Sequence, residues 1–212
     1  MRRISAVLAL LIAFSAVPLT IGQTPVSTAT ATPDHITLTW TGDPSTTMTV
    51  TWRTDATVQS GLVQYKQGKE LTGEILKAEA QAGEFKTDLG TSWIFTATLT
   101  NLHPNTEYAY RVGQGDHWSE THSFKTADPN AKSFKFLVFG DSQSPATGED
   151  PYGIWRDTVH NAFKANPDAA FMVNVGDLVD FGQEEAHWNG WFAASKGVID
   201  TIPIMAVAGN HE

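Results

Sequence analysis

No cysteine occurs among the 212 residues. Thiolate nucleophiles, zinc–thiolate clusters and disulfides are therefore excluded, and a stable fold has to come from burial alone. Basic residues are few: 14 Lys and Arg stand against 23 Asp and Glu, a formal net charge of −9. Two of the 14 are Arg2 and Arg3, so loss of the N-terminal segment would leave 12 basic residues against 23 acidic ones, or −11. Such an excess repels a nucleic-acid backbone and excludes nucleic acid as a partner. A small phosphate ester is not excluded, provided that bound cations dominate the local field. Long apolar runs are also missing. The longest, ISAVLALLIAFSAV, has 14 residues and sits between Met1-Arg2-Arg3 and Pro18. That is the pattern of a secretory signal peptide, too short to span a bilayer comfortably. The expectation is a secreted protein, extracellular or periplasmic, with no stable membrane insertion after cleavage.

The stretch QTPVSTATATPD, rich in Thr, Ala, Ser and Pro, reads as a linker, so residues 1–32 are assigned to leader and linker. From Ile36 to Thr126 the pattern has period two, broken by turn residues. The runs are ITLTW, MTVTWRT, GLVQYKQG, IFTATL, TEYAYRV and HWSETHSFKT. The polar region from Lys69 to Gly90 is expected to add one edge strand and a long loop. Six or seven short strands in about 95 residues predict an all-β sandwich over residues 33–127. Within it, Trp52 is expected in the core. The segment from Leu102 to Val112 resembles the entry to the sixth strand of a fibronectin type III or immunoglobulin-like sandwich, with Tyr108 pinning the corner through its hydroxyl. Its own alternating core and the polar linker Ala127-Asp128-Pro129-Asn130 predict that the sandwich folds by itself.

Composition then changes. Phe134 to Phe139 is a continuous apolar run, as for a strand buried on both faces. Tyr152 to Ala165 has helical spacing, with Ile154, Trp155, Val159, Ala162 and Phe163 on one side. Ala169 to Val175 reads as a second strand, Glu184 to Lys196 as a second helix with Trp188 and Trp191 packed, and Pro203 to Ala208 as a third strand. Alternation of strand and helix predicts a parallel sheet. Each strand runs into a glycine followed by an oxygen donor: Gly140-Asp141, Gly176-Asp177, and Gly209-Asn210-His211-Glu212. Parallel strands release their C-terminal ends on one edge, where ligands bind. Asp141, Asp177 and Asn210 are hard oxygen donors suited to Mg, Mn, Fe or Zn. A carboxylate at the middle strand is able to bridge two cations, and His211 beside a ligand is able to act as a general acid.

The order GD, GDLVD, GNHE at strand ends resembles the calcineurin-like metallophosphoesterases. An N-terminal fibronectin-like sandwich before that domain resembles the purple acid phosphatases. The resemblance covers nearly the whole chain beyond the leader. It implies a fibronectin III-like sandwich over 33–127, followed by an incomplete α/β metallophosphoesterase domain over 134–212. It also implies metal-dependent hydrolysis of a small phosphate ester. Two divalent or trivalent ions (Fe, Zn or Mn) are expected in the complete enzyme, and a metal-bound hydroxide is the attacking group. On the same basis Asp141 is a ligand of the first metal, Asp177 the bridging aspartate, Asn210 a ligand of the second metal, and His211 the residue that protonates the leaving oxygen or holds the phosphate.

Three departures accompany the resemblance. The histidine often found two residues after the first aspartate is Gln143 here. The tyrosine that purple acid phosphatases carry three residues after the bridging aspartate is Asp180. The sequence ends directly after the third motif, so the family's later ligand histidines have no counterpart, and the expectation is an N-terminal portion that binds metal weakly. Either Asp180 or Gln143 is available to complete the first site. His187 is expected to pack, His160 to lie on a helix surface, His103, His117 and His122 to be structural, and Glu149 and Asp150 to be solvated. The competing reading is an extracellular binding module whose α/β half is degenerate.

Overall fold

A computed structural model describes residues 29–146, 148 and 150–212. The leader reading falls on residues 1–28 and lies outside the described residues, as does Glu149. Among the described residues no helix is long and apolar enough to cross a membrane.

Nine strands build the N-terminal sandwich: β1 (Asp34–Thr39), β2 (Met48–Asp55), β3 (Leu62–Gln67), β4 (Leu76–Glu79), β5 (Gln81–Thr87), β6 (Gly90–Leu99), β7 (Glu107–Gln114), β8 (His117–Trp118) and β9 (His122–Lys125). One sheet has the order β1-β2-β6-β5; the other runs β4-β3-β7, with β8 and β9 both paired to β7. All pairs are antiparallel, and the alternating apolar residues meet between the sheets in a core that includes Leu38, Val50, Trp52, Phe95, Tyr110 and Phe124. Trp52 is 1% exposed and stacks on Phe95 at 5.4 Å. The strand count exceeds the six or seven expected. Lys69 to Gly90 holds both β4 and β5, which are exposed along nearly their whole length. An edge strand with no buried face carries no apolar alternation to read. HWSETHSFKT divides into two strands because Ser119 turns back to bond Val112.

Tyr108 is buried, and its hydroxyl accepts the His103 N–H at 2.9 Å. This is the corner expected from sequence: the hydroxyl satisfies a backbone donor where the chain enters β7 and no ladder partner is available.

The second half is β10 (Lys135–Phe139), α1 (Gly153–Ala165), β11 (Ala169–Asn174), α2 (Glu185–Ser195) and β12 (Ile204–Ala206), with a parallel sheet in the order β10-β11-β12. Right-handed crossovers taken twice in the same direction put both helices on one face. Leu137, Phe139, Met172 and Ile204 pack there with Trp155, Val159 and Trp191. The opposite face is bare, with Phe134 65%, Phe136 48%, Val138 57% and Val175 58% exposed. The expectation of a strand buried on both faces is therefore corrected: an apolar run reports what a strand is able to bury, not what covers it. Ile154 is also corrected, being 83% exposed, because it lies about 100° round the helix from the buried Trp155 and so on the outward side of the stripe. Trp155 and Trp191 are buried and Trp188 half-buried as expected, and Asp150 is exposed in an ion pair with Arg156.

The two halves are not independent beads. Arg53 on β2 is 2% exposed and binds Asp34 of its own sheet at 2.6 Å and, across the seam, Glu185 in the first turn of α2. Asp88, in the β5–β6 turn, accepts the Glu185 N–H at 2.8 Å and caps a helix that its own Glu184 leaves uncapped. At the other end of α2, Lys196 pairs with Glu120, Tyr110 donates to the Asp200 carbonyl at 2.7 Å, and Leu38 N–H bonds Ile199 O. These contacts tie α2 to the sandwich, with Arg53 holding Asp34 on its own sheet and Glu185 across the seam.

Two predictions concern stability. Tyr108→Phe should cost about 1–3 kcal/mol in chemical denaturation, since it takes away the partner of the part-buried His103 N–H; a change within error would remove Tyr108 from the corner role. The second concerns His35, stacked on Phe192 at 4.2 Å. Burial first, then the Arg53 charge, lowers it from 6.5 to about 4. Between those values the unfolded chain takes up a proton that the folded chain refuses, so this contribution is complete above 6.5 and lost as pH falls towards 4. Glu185 has the opposite sign: burial raises it against the pull of Arg53, so its contribution is present at low pH and lost as pH rises through the raised value. His35→Asn keeps a residue tolerant of the left-handed backbone at this position, φ 50. The stability difference between wild type and His35→Asn should therefore decline from pH 6.5 to pH 4, and a pH-independent difference would refute the assignment.

Candidate functional site

Asp141, Asp177 and Asn210 follow the ends of β10, β11 and β12 on one sheet edge, as the alternation predicts. The turns are not made by the glycines alone. Gly176 has φ 112, but the aspartates themselves are left-handed, Asp141 at φ 52 and Asp177 at φ 53. Asp tolerates that region better than most residues, so the backbone strain sits at the two candidate aspartates. Gly209 is needed for proximity. A Cβ there would lie 2.1 Å from Asp177 Oδ1, and one on Gly176 would lie 3.0 Å from Gly209 Cα. Absence of side chains lets the second and third loops touch.

Hydrogen bonds join the three loops. Asp141 N–H donates to Gly176 O, and Gln143 N–H to Asp177 O, each at 3.1 Å. The Gln143 amide, with its nitrogen inward, donates to Asp177 O at 2.9 Å and Asp141 O at 3.3 Å. Asp177 Oδ1 accepts the N–H groups of Asn210 at 3.0 Å and His211 at 3.2 Å. Glu212 returns to the second loop, where its carboxylate accepts from Asp177, Leu178 and Val179, and it also accepts from Gly209 at 2.5 Å. Burial pushes its carboxyl up, but those four backbone donors outweigh it and hold Glu212 below its ordinary value. Beneath the loops, Ser142 Oγ receives Asn174 Nδ2 and Trp191 Nε1, each at 3.0 Å, and Asn174 Oδ1 accepts Gly176 N–H. Sequence reading missed Ser142, Asn174 and the Glu212 role. The available signal was a polar residue closing an apolar strand, as in FMVN.

Asp141 and Asn210 are exposed, and among the described residues their side chains have no hydrogen-bond or ion-pair partner. His211 Nδ1 lies 2.7 Å from Asp180 O and 3.5 Å from Asp180 Oδ1. With Nδ1–H donated to that carbonyl, Nε2 is the nitrogen left for a ligand. The Asp180 carbonyl raises His211 most; desolvation opposes it, and the Asp177, Asp180 and Glu212 carboxylates each add a smaller upward pull, so the net shift is upward. Among the described residues no group of three His, Cys, Asp or Glu is arranged to hold a metal. The donors at this edge are two aspartates and an amide, right in kind for a hard cation and short of the four to six that a closed site uses. His187 packs, as expected: it is 4% exposed with Nδ1 3.0 Å from the Tyr152 hydroxyl. A cavity of about 510 Å³ opens on the seam beside Arg53, His122 and Asp200, and none of its lining residues belongs to the three motifs.

Glu212→Ala should therefore loosen the edge without unfolding the sheet. Amide exchange at Asp177, Leu178, Val179 and Gly209 should speed up by roughly 10- to 100-fold, the loss of charge-assisted bonds. The Met172 amide, bonded to Pro203 O within the sheet, is the internal control. Unchanged exchange at the four amides would remove Glu212 from this role.

Residues 33–126 match the purple acid phosphatase N-terminal domain, and residues 134–212 match the calcineurin-like phosphoesterase domain. Acid phosphatase type 7 of Mus musculus is 33% identical over 190 residues, covering 85% of this chain and 40% of that protein. Probable inactive purple acid phosphatase 1 of Arabidopsis thaliana is 29% identical over 134 residues, covering 57% of this chain and 22% of that protein. The chain thus spans less than half the length of these relatives. Among solved structures, purple acid phosphatase PPD1 from yellow lupin (Lupinus luteus) seeds superposes with a TM-score of 0.71 at 23% identity, covering 85% of this chain and 36% of that one, a likeness of fold. With the N-terminal domain model on the sandwich and the phosphoesterase model on the α/β half that carries the three motifs, the chain belongs to the purple acid phosphatase-like members of the calcineurin-like phosphoesterases.

Proposed function

We propose that this chain is the metal- and substrate-facing part of an exported hydrolase of phosphoric esters. The observation that carries the reading is the sheet edge: Asp141, Asp177 and Asn210 stand on loops bonded to one another, with the Asp141 carboxylate and the Asn210 amide uncommitted to any partner among the described residues. In this reading 33–127 is the N-terminal domain and 134–212 the beginning of the catalytic one, after a leader and linker over 1–32.

Asp141 would hold the first of two cations, Asp177 would bridge both, and Asn210 would hold the second, with Fe, Zn or Mn suiting these donors. When bound, such a pair supplies an activated water and positive charge at the phosphoryl group. The chain's own residues do the rest. His211 donates a proton from Nε2 to the leaving oxygen, and its raised pKa keeps the acid form populated to higher pH. Asp180 fixes the tautomer and the ring orientation through its carbonyl. Glu212 and Gln143 hold the three loops in register. The competing reading, an extracellular binding module, draws on relatives whose names call them probable inactive purple acid phosphatases.

Two substitutions separate ligand from acid. In the metal-loaded protein, Asp177→Asn should remove both metal occupancy, read by elemental analysis, and ester hydrolysis. His211→Ala should leave metal content intact and lower turnover by roughly 10²–10⁴, the range for a positioned general acid. The loss should be least for aryl phosphates, whose leaving groups need little protonation. Loss of metal in His211→Ala, or equal losses on aryl and alkyl esters, would overturn the acid role. Absence of both metal and hydrolysis in a protein extended over the full length of the relatives would favour the binding module.

A further inference from the structure

We infer that two separate clasps hold the sheet edge and that Ser142 is the positioning residue of the first. Its hydroxyl sets the place of Asp141 beside Asp177, while Glu212 sets the place of Asn210. The cations that the edge receives rest on the hydrolase reading above; the clasps rest on the bonds alone. Ser142 follows Asp141 directly and is buried. Its Oγ accepts from Asn174 Nδ2 and Trp191 Nε1, each at 3.0 Å, and donates to Leu178 O at 3.4 Å. Asn174 has no exposed surface, and its Oδ1 accepts the Gly176 N–H at 3.2 Å. One hydroxyl next to the first aspartate therefore reaches the second loop on both sides of Asp177, and Trp191 anchors it to α2.

The partners divide by loop. Among the described residues, the Ser142 hydroxyl bonds the second loop and α2 but not the third loop. The Glu212 carboxylate bonds Asp177, Leu178 and Val179 of the second loop and Gly209 of the third, but not the first loop. Both clasps meet at Asp177 and act on opposite neighbours. Ser142, Asn174 and Trp191 are all buried, so an unmade bond there is costly and the arrangement that fills every donor is preferred. Asp141 and Asp177 keep a left-handed backbone, φ 52 and φ 53, which persists only where the surroundings over-determine it. Without the hydroxyl, the first loop keeps its edge bonds from Asp141 N–H to Gly176 O and from Gln143 to Asp177 O. The second loop stays fixed against the third through Glu212 and Asp177 Oδ1. Loss of Ser142 thus loosens Asp141 and spares Asn210. A cation holds its oxygen donors at set distances, so a loosened donor binds it less well.

Zinc is the probe, because it is diamagnetic and leaves each donor's resonance readable. In the isotope-labelled chain, the Asp141 carboxyl carbon and the Asn210 side-chain amide report the two positions. Ser142→Ala should raise the zinc concentration for half the Asp141 shift by roughly three- to tenfold, below the range for a group bonded to the ligand itself. The Asn210 midpoint should stay within about twofold, and Glu212→Ala should give the reverse pattern. Equal changes at both positions in Ser142→Ala, or none at either, would overturn the proposal. Amide exchange in the metal-free chain gives an answer without any cation. Ser142→Ala should speed exchange at Asp141 and Gly176 by roughly tenfold and spare Asn210 and Met172. If zinc shifts neither resonance in the unsubstituted chain, that counts against the metal reading alone, and the exchange pattern decides. Selective acceleration at Asp141 and Gly176 then supports the clasp; uniform acceleration, or none, overturns it. Ser142→Cys keeps the volume with only a weak acceptor, and takes the place of Ser142→Ala if that protein does not fold.

Discussion

One guanidinium sets the relation between the two halves of this molecule. Arg53 is out of water on a β-strand, and a buried charge is tolerable only when its donors are filled. Asp34 fills one side from the same sheet, and Glu185 fills the other from the first turn of α2. Neither carboxylate alone satisfies the planar fork, so sandwich and α/β half close on each other to complete it. The same contact accounts for a glutamate buried at a helix start, a residue that would otherwise favour water.

Consequences run from that seam to the sheet edge. α2 is capped by Asp88, clamped by Arg53 at its beginning and tied through Lys196 and Asp200 at its end. Its Trp191 then reaches Ser142, which also receives Asn174, and these two polar residues underlie the first and second loops. A side-chain network buried in low dielectric has one arrangement in which every partner is satisfied, so the helix position sets the loop position. Above it, the Glu212 carboxylate collects four backbone N–H groups from two loops, and Asp177 Oδ1 collects two more. The site is thus held chiefly by carboxylates binding backbone donors, which suits an acidic chain: the negative charge that a phosphate ester would resist is partly spent on the protein's own amides before any cation arrives.

The sheet is asymmetric. Consecutive crossovers in one direction leave Phe136, Val138, Val175 and Val207 facing solvent on the side away from α1 and α2. Phe136 and Phe171 stack at 5.1 Å, and Trp40 of the sandwich reaches Phe171 edge to face at 5.3 Å, so the bare face is continuous with the seam. Exposed contiguous apolar area of this kind marks a surface suited to contact.

Much was legible in the sequence, and for local reasons. Period-two alternation is a property of each strand, so the sandwich was readable wherever a strand has one wet face, and unreadable in β4 and β5, which are wet almost throughout. Apolar runs ending in Gly-Asp or Gly-Asn specified the parallel sheet and which edge would carry Asp141, Asp177, Asn210 and His211. The corner role of Tyr108 was local too, because hydroxyl and backbone partner lie five residues apart. What only the tertiary structure decided depends on residues distant in the chain. Arg53 and Glu185 are separated by 132 positions, Ser142 and Trp191 by 49, and Asp177 and Glu212 by 35. No periodicity records such pairings. They arise because burial brings polar groups together that must then find each other or remain unsatisfied, and that requirement exists only once the chain has folded.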